Sequence, residues 1–434
     1  MNMTRSGIEV LRQQLRSAWA KLPTDMKARL EPQIMDAHNH MLLVRNLGRT
    51  GATQFVAPKT RVRPELAMVH SLLMDDPDGL LEDAINSVFT YVGSDGEIYF
   101  GGVDYDTTDP GWAYTLVAQA ETLGETPPFN IHPAVIQIPD DASIAIAGDW
   151  GGNNNIAQQV AAAMSAKKPD YWVHIGDVYY AGTMPPQRPY QSSNFLNVWP
   201  GAAGKSFTMN SNHDMLAHGT GYFKVALASP VFAAHKGCSY FALYNTKFRI
   251  VGLDSAYFSP DDLYDEGNLG NAHNPAQLQF LADQASQAAA SGQNLVLLTH
   301  HNGLSIDGSK QLALWSQVAG QLTAFKGKSI LWYWGHVHVA NVFNSQTTSG
   351  VTIYPRCCGH GCLPWGVAKV LNSPNVFWFE SNLLGPASNY FVSNGFAMLA
   401  FKGSSLTETF FDQSGNSHWS ASWPVTAKVV GAGG

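Results

Sequence analysis

Residues 143–151 read Ser-Ile-Ala-Ile-Ala-Gly-Asp-Trp-Gly, and residues 171–180 read Tyr-Trp-Val-His-Ile-Gly-Asp-Val-Tyr-Tyr. Each is a short apolar run that stops at Gly-Asp. Such a run, bounded by turn residues, predicts a strand buried on both faces. Between them, Ile156–Ala166 has a helical pattern and ends at Lys167, Lys168 and Pro169. Downstream the alternation continues. Strands are expected at Phe207–Met209, Tyr240–Tyr244, Phe248–Leu253, Leu295–Thr299 and Ser329–Trp334. Helices are expected at Pro275–Ala290 and Gln311–Phe325. Strands alternating with helices predict an α/β domain whose sheets are covered by helices. The tail, with Val376–Phe379, Phe396–Phe401 and Leu406–Phe411, is strand-rich and is expected to complete a second sheet.

Residues 1–140 differ in texture and read as an N-terminal accessory region, with the catalytic domain over 141–434. Helical periodicity dominates Ile8–Leu22 and Pro64–Leu81, Glu97–Val103 reads as a hairpin strand, and Thr126–Asp141 reads as a linker. Asp36-Ala37-His38-Asn39-His40 resembles the His-x-His of amidohydrolases. The helical texture on both sides instead predicts helix surface or a loop.

The chain has 434 residues and a formal charge of −7, which argues against a nucleic-acid-coating role. Hydrophobic residues make up 45%, enough for a packed core. Cys238, Cys357, Cys358 and Cys362 are spaced for neither a disulfide scaffold nor a four-cysteine zinc site, and are expected to be free thiols. No apolar run of about 18 residues predicts a membrane span. The first residues read as an amphipathic helix rather than a secretory signal, so a cytoplasmic location is expected.

Metal-capable residues fall directly after the predicted strands, where open α/β sheets place ligand sites. Asp149 follows one strand and Asp177 the next, with Tyr180 three residues on. Asn212-His213-Asp214, His300-His301 and His336-Val337-His338 follow three more. Carboxylates, imidazoles, an amide oxygen and a phenolate suit Fe, Mn or Zn. Two ions about 3.5–4 Å apart can clamp the attacking and leaving oxygens of a phosphoryl transfer. His336 and His338 alternate, so on extended chain both would face one side.

The five segments GDWG, GDVYY, NHD, LLTHH and GHVH, in this order, resemble the blocks of the calcineurin-like metallophosphoesterase superfamily. The tyrosine three residues after the second aspartate, and Gly151 where many members have histidine, resemble purple acid phosphatases. The segment RCCGHGCLPWG (356–366) is similar to a bacterial group of that superfamily. The resemblance covers roughly Ser143 to Gly366. It implies a four-layer α/β/β/α sandwich of two mixed sheets flanked by helices. It also implies that Asp149, Asp177, Tyr180 and His338 hold one metal and Asn212, His300 and His336 the other, with Asp177 bridging. Iron paired with Zn, Mn or a second Fe is the implied cofactor.

His213 would face the phosphate as acid or oxyanion stabiliser, and His301 would stand behind the ligands or face substrate. Ser211 departs from the pattern, which usually has glycine there, and predicts an altered loop. Tyr179 adjoins Tyr180, but only Tyr180 has the family offset. Arg356 and His360 could contact phosphate; a salt bridge and a loop histidine are equally good readings. His218 is expected on an exposed loop. The implied reaction is hydrolysis of a small phosphate ester, monoester favoured, by metal-bound hydroxide. A phosphodiesterase, or a non-catalytic phosphoester-binding protein of the same fold, is the alternative.

Overall fold

The computed structural model describes residues 5–49, 63–86, 90–92, 98–100, 105–183, 190–363, 369–385 and 388–423. Two large sheets dominate. Their strands, in chain order, are β1 (Ala134–Gln137), β2 (Ser143–Ala147), β3 (Tyr171–His174), β4 (Ser206–Thr208), β5 (Phe241–Tyr244), β6 (Phe248–Leu253), β7 (Asn294–Thr299) and β8 (Ser329–Trp334). There follow β9 (Ala340–Phe343), β10 (Gln346–Thr348), β11 (Val351–Cys358), β12 (Val376–Phe379), β13 (Gly395–Lys402), β14 (Ser405–Asp412) and β15 (Ser417–Trp423). The nine-stranded sheet runs β12-β9-β11-β8-β7-β6-β5-β1, with β10 paired to β11. The six-stranded sheet runs β15-β14-β13-β2-β3-β4. Both are mixed: β6, β7, β8 and β11 are parallel, as are β2, β3 and β4, while β9 and β13 pair antiparallel with their neighbours.

Period-two alternation sorts each strand between two cores. Ile144 and Ile146 of β2 face Val296 and Leu298 of β7 between the sheets. Ala145 and Ala147 face the other way, onto helix Asn155–Ala166. Leu295 and Leu297 likewise turn out towards helices Ala276–Ala290 and Ala313–Gln321. Each central strand is therefore covered on both sides, which is why it reads as a continuous apolar run. The result is the mixed four-layer α/β/β/α sandwich, with its helices where the alternation predicted them.

The interface between the sheets also holds charge. Arg356 of β11 donates to both carboxylate oxygens of Glu408 on β14, from Nη2 at 2.6 Å and from Nε at 2.9 Å. The Tyr333 hydroxyl of β8 donates to the same carboxylate. All three side chains are buried. The pair pins one sheet to the other, so of the two readings of Arg356 the salt bridge is the one the structure holds. His360 is also buried, with its ring 5.9 Å from Phe410 between the sheets.

The described residues among the first 140 pack against the later chain. Within the segment read as a linker, β1 pairs in parallel with β5 and forms the edge of the larger sheet. Helices Arg5–Lys21 and Thr24–Arg49 share a core with Leu66, Leu72 and Leu116 and with Leu216, Ala217 and Leu263 of the later chain. The helical stretch expected at Pro64–Leu81 is broken into Pro64–Ala67, Val69–Leu73 and a helix beginning at Leu80. Ile98–Phe100 pairs with Thr90–Val92 as a hairpin; the rest of the strand expected at 97–103 lies outside the described residues.

His38 and His40 lie on a helix, but on its buried side, where His38 Nε2 is 3.1 Å from Asp78. His218, expected on an exposed loop, is buried and meets the Thr122 hydroxyl at 3.0 Å. The four cysteines are buried free thiols. No helix among the described residues is long and apolar enough to cross a membrane.

Removing one partner of a buried ion pair leaves the other charge without compensation, at a cost of about 3–5 kcal/mol. Glu408→Ala is therefore expected to lose about that much stability in denaturant unfolding. The folded fraction should keep its metal content, because neither side chain belongs to the ligand groups.

Candidate metal centre

The loops after β2, β3, β7 and β8 are laced together by their own backbones. Asp149 N–H donates to Gly176 O at 3.1 Å, Gly151 N–H to Asp177 O at 3.0 Å, and Gly335 N–H to His300 O at 3.0 Å. Four candidate ligand residues in these loops have left-handed backbones: Asp149 (φ 55°), Asp177 (74°), His336 (69°) and His338 (54°). Such a conformation costs a non-glycine residue about 1–3 kcal/mol and gathers where function requires it. It also changes the expectation for His336 and His338. They do not alternate on extended chain, and they turn into two different groups.

Ligand atoms of Asp149, Asp177 and His338 lie within 4.8 Å of one another, as do those of His300, His301 and His336. Asp177 joins the two groups. Its Oδ1 is 3.3 Å from His300 Nε2, and its Oδ2 accepts a 2.9 Å hydrogen bond from the Tyr179 hydroxyl. Oδ1 is buried without a hydrogen-bond partner. Asn212 Oδ1 lies 2.8 Å from His300 Nε2 and 3.2 Å from His336 Nδ1. His300 donates its other nitrogen, Nδ1, to Ile175 O at 2.8 Å, which leaves Nε2 with its lone pair directed at the centre. Burial pushes the pKa of His300 down; burial and the His301 and His300 rings push His336 well down. Both shifts favour the neutral imidazole that a ligand must be. Burial alone would raise Asp177, but His300, His213 and His338 outweigh it and hold the carboxyl well below the usual range. An orphaned buried oxygen amid converging N and O donors fits a metal pair by the chemistry of the donor set.

Glycines make the space. A Cβ at Gly335 or Gly359 would collide with the Asp149 carboxylate, and one at Gly176 with the His300 ring. The His336 amide donates to both Asp149 oxygens, at 3.0 and 2.9 Å. At Gly151 a side chain would strike the Asp177 carbonyl, so the first block has no room for a histidine. Ser211 does not distort the third block. Its φ is −139°, and its side chain caps helix Asn212–Met215 by accepting from the Asp214 amide at 3.1 Å.

Other candidates are placed elsewhere. The Tyr180 hydroxyl donates to Asp109 at 2.6 Å, in a pocket of Tyr105 and Trp112, and so docks the N-terminal region. Its neighbour Tyr179 takes the position by the centre, 3.3 Å from His338 Nε2. His301 has both ring nitrogens engaged, Nδ1 with the Ser255 hydroxyl at 2.9 Å and Nε2 with Tyr264 O at 2.8 Å. It packs behind His336 and has no nitrogen left to face substrate. Arg356 and His360 are buried between the sheets and engaged there, Arg356 with Glu408 and His360 against Phe410. His213 does reach the centre. Its Nδ1 donates to Tyr180 O at 2.8 Å, and its Nε2 lies 3.9 Å from Asp177 Oδ2 and 3.5 Å from Glu65 Oε1. Burial lowers its pKa, but Asp177, Glu65 and the Tyr180 carbonyl raise it more. Sequence reasoning weighed Tyr179 and chose Tyr180 on the family offset, and it did not single out Glu65.

Residues 142–340 match the model of the calcineurin-like phosphoesterase family. No curated protein matches the sequence. Among solved structures, the chain is similar to GAP50, the anchor in the inner membrane complex of Plasmodium. The identity is 14% and the TM-score 0.45, over 65% of this chain and 88% of that one. It is also similar to a dimetal phosphatase from Danio rerio, at 10% identity and TM-score 0.40, over 65% and 98% of the chains. PhoD matches at 12% identity and TM-score 0.40, over 66% and 69%.

The two tyrosines should separate cleanly. Tyr179→Phe removes a hydroxyl that touches Asp177 and His338, and is expected to weaken metal binding about tenfold. Tyr180→Phe should leave metal affinity unchanged and cost about 1 kcal/mol, because Asp109 loses one of its three hydrogen bonds and keeps those from the Tyr105 and Gly111 amides. Equilibrium dialysis with metal analysis, beside denaturant unfolding, reads both.

Proposed function

We propose that this protein hydrolyses small phosphate esters, monoesters in preference, at a dinuclear metal centre. The observation that carries the reading is Asp177, whose two oxygens face two separate ligand groups. Asp149, Asp177 and His338, with Tyr179 beside them, would hold one ion. Asn212, His300 and His336 would hold the other, with Asp177 shared. When bound, such ions supply an acidified water as nucleophile and neutralise charge on the phosphoryl group.

The chain's own residues do the rest. Asp149 is fixed by the His336 amide, and His300 by the Ile175 carbonyl, so the ligands are held in place before any ester arrives. His213, tethered through Nδ1, presents Nε2 to the centre. From there it can donate a hydrogen bond to a phosphate oxygen or a proton to the leaving alkoxide. The oxygen–nitrogen donor set suits iron with zinc, manganese or a second iron. The preference for monoesters rests on the likeness of the sequence blocks to purple acid phosphatases, although the tyrosine beside the ligands is Tyr179 and not Tyr180.

Turnover of para-nitrophenyl phosphate is the test. It should vanish after treatment with a chelator, return on adding metal, and exceed that of the bis ester. Faster bis-ester cleavage would make the protein a diesterase. Two bound metals without turnover of either would leave the phosphoester-binding reading.

A further inference from the structure

His213 is enclosed partly by residues that lie outside the phosphoesterase segment, Glu65 and Trp112. Glu65, in the four-residue helix Pro64–Ala67, is 6% exposed and brings Oε1 to 3.5 Å from His213 Nε2. Asp177 Oδ2 flanks the same nitrogen at 3.9 Å. The Trp112 ring packs 5.4 Å from the imidazole, and the Tyr179 ring 4.7 Å. Tyr180 O holds the opposite nitrogen at 2.8 Å.

A bland reading is available for Glu65, since acids favour the first turn of a helix. A helix of four residues offers little dipole, however, and burying a carboxylate costs far more than that gain returns. The placement is also held rigidly. Leu66 and Ala67 are packed in one core with Leu216 and Ala217, just after His213. Arg63 meets Asp265 at 2.8 Å. Arg29 forks onto Asp262 at 2.6 and 2.9 Å. The loop between these aspartates includes Tyr264, whose carbonyl receives His301. Packed elements that deliver a side chain to one atom are how sites are preorganised.

We infer that Glu65 is a positioning residue for His213. Its carboxylate fixes the direction of Nε2, the atom that meets the phosphate, and makes the N-terminal region part of the active site. The inference rests on the phosphoesterase reading only in giving Nε2 that task.

The test compares the full-length wild type with Glu65→Gln, Glu65→Asp, His213→Ala and the Glu65→Gln/His213→Ala double variant, all metal-loaded. With para-nitrophenyl phosphate, Glu65→Gln should lower kcat about tenfold, move KM less than about twofold and keep both metals. Glu65→Asp, which keeps the carboxylate, should recover part of the loss and serves if the Gln variant fails to fold. In the His213→Ala background, Glu65→Gln should cost nothing further. An unchanged kcat, an additive loss, or a lower KM at unchanged kcat would overturn the inference; the last would mean that Glu65 competes with phosphate.

Nitrogen-15 spectra of the histidine side chains in the zinc-loaded protein give a readout that needs no turnover. Replacing Glu65 should move the resonance that His213→Ala removes. If the wild type proves inactive, the phosphoesterase reading falls, while this shift still decides the contact. An unmoved resonance would sink it.

Discussion

A carboxylate fully buried in protein must be compensated, and Asp177 is the one on which this molecule turns. It is 0% exposed, its Oδ1 has no hydrogen-bond partner, and its surroundings are three imidazoles and a phenol. A site of this kind is favourable only with positive charge in it. The sandwich can be understood as the frame that brings that charge in. Parallel strands end at one edge, and their loops carry the donors inward from both sheets. Backbone hydrogen bonds between loops, and glycines against the Asp149 carboxylate, fix the spacing. The strain of four left-handed non-glycine residues is borne by the surrounding core.

The same logic explains why charge elsewhere is paired. Arg356 and Glu408 join the two sheets with a bidentate contact inside an apolar interface. Arg29 and Arg63 fasten the N-terminal helices to the acidic loop behind His301. Tyr180 and Asp109 close the seam on the other side. The described part of the N-terminal region is therefore packed onto the later chain.

The strands, their order of alternation with helices, and most of the converging donors were legible from local pattern. Apolar runs ending in Gly-Asp or followed by histidine pairs are local signals, and they survive folding because both faces of those strands are covered. What local pattern could not supply was long-range. Nothing near Tyr179 or Tyr180 says which one meets Asp109, a residue about seventy positions earlier. Nothing near Arg356 names Glu408 as its partner. The chain around Glu65 reads as an ordinary helix start, and its contact with His213, far downstream, is not written in that pattern. The direction of His336 and His338 was misread for a different reason: periodicity assumes extended chain, and left-handed residues break it.

Metal stoichiometry in the wild type and in Asp177→Ala, measured together with phosphomonoester turnover, tests the account most directly. The shared carboxylate predicts two ions per chain in the wild type, and the loss of both ions and of activity in the variant. Full activity with two ions bound in Asp177→Ala would contradict it.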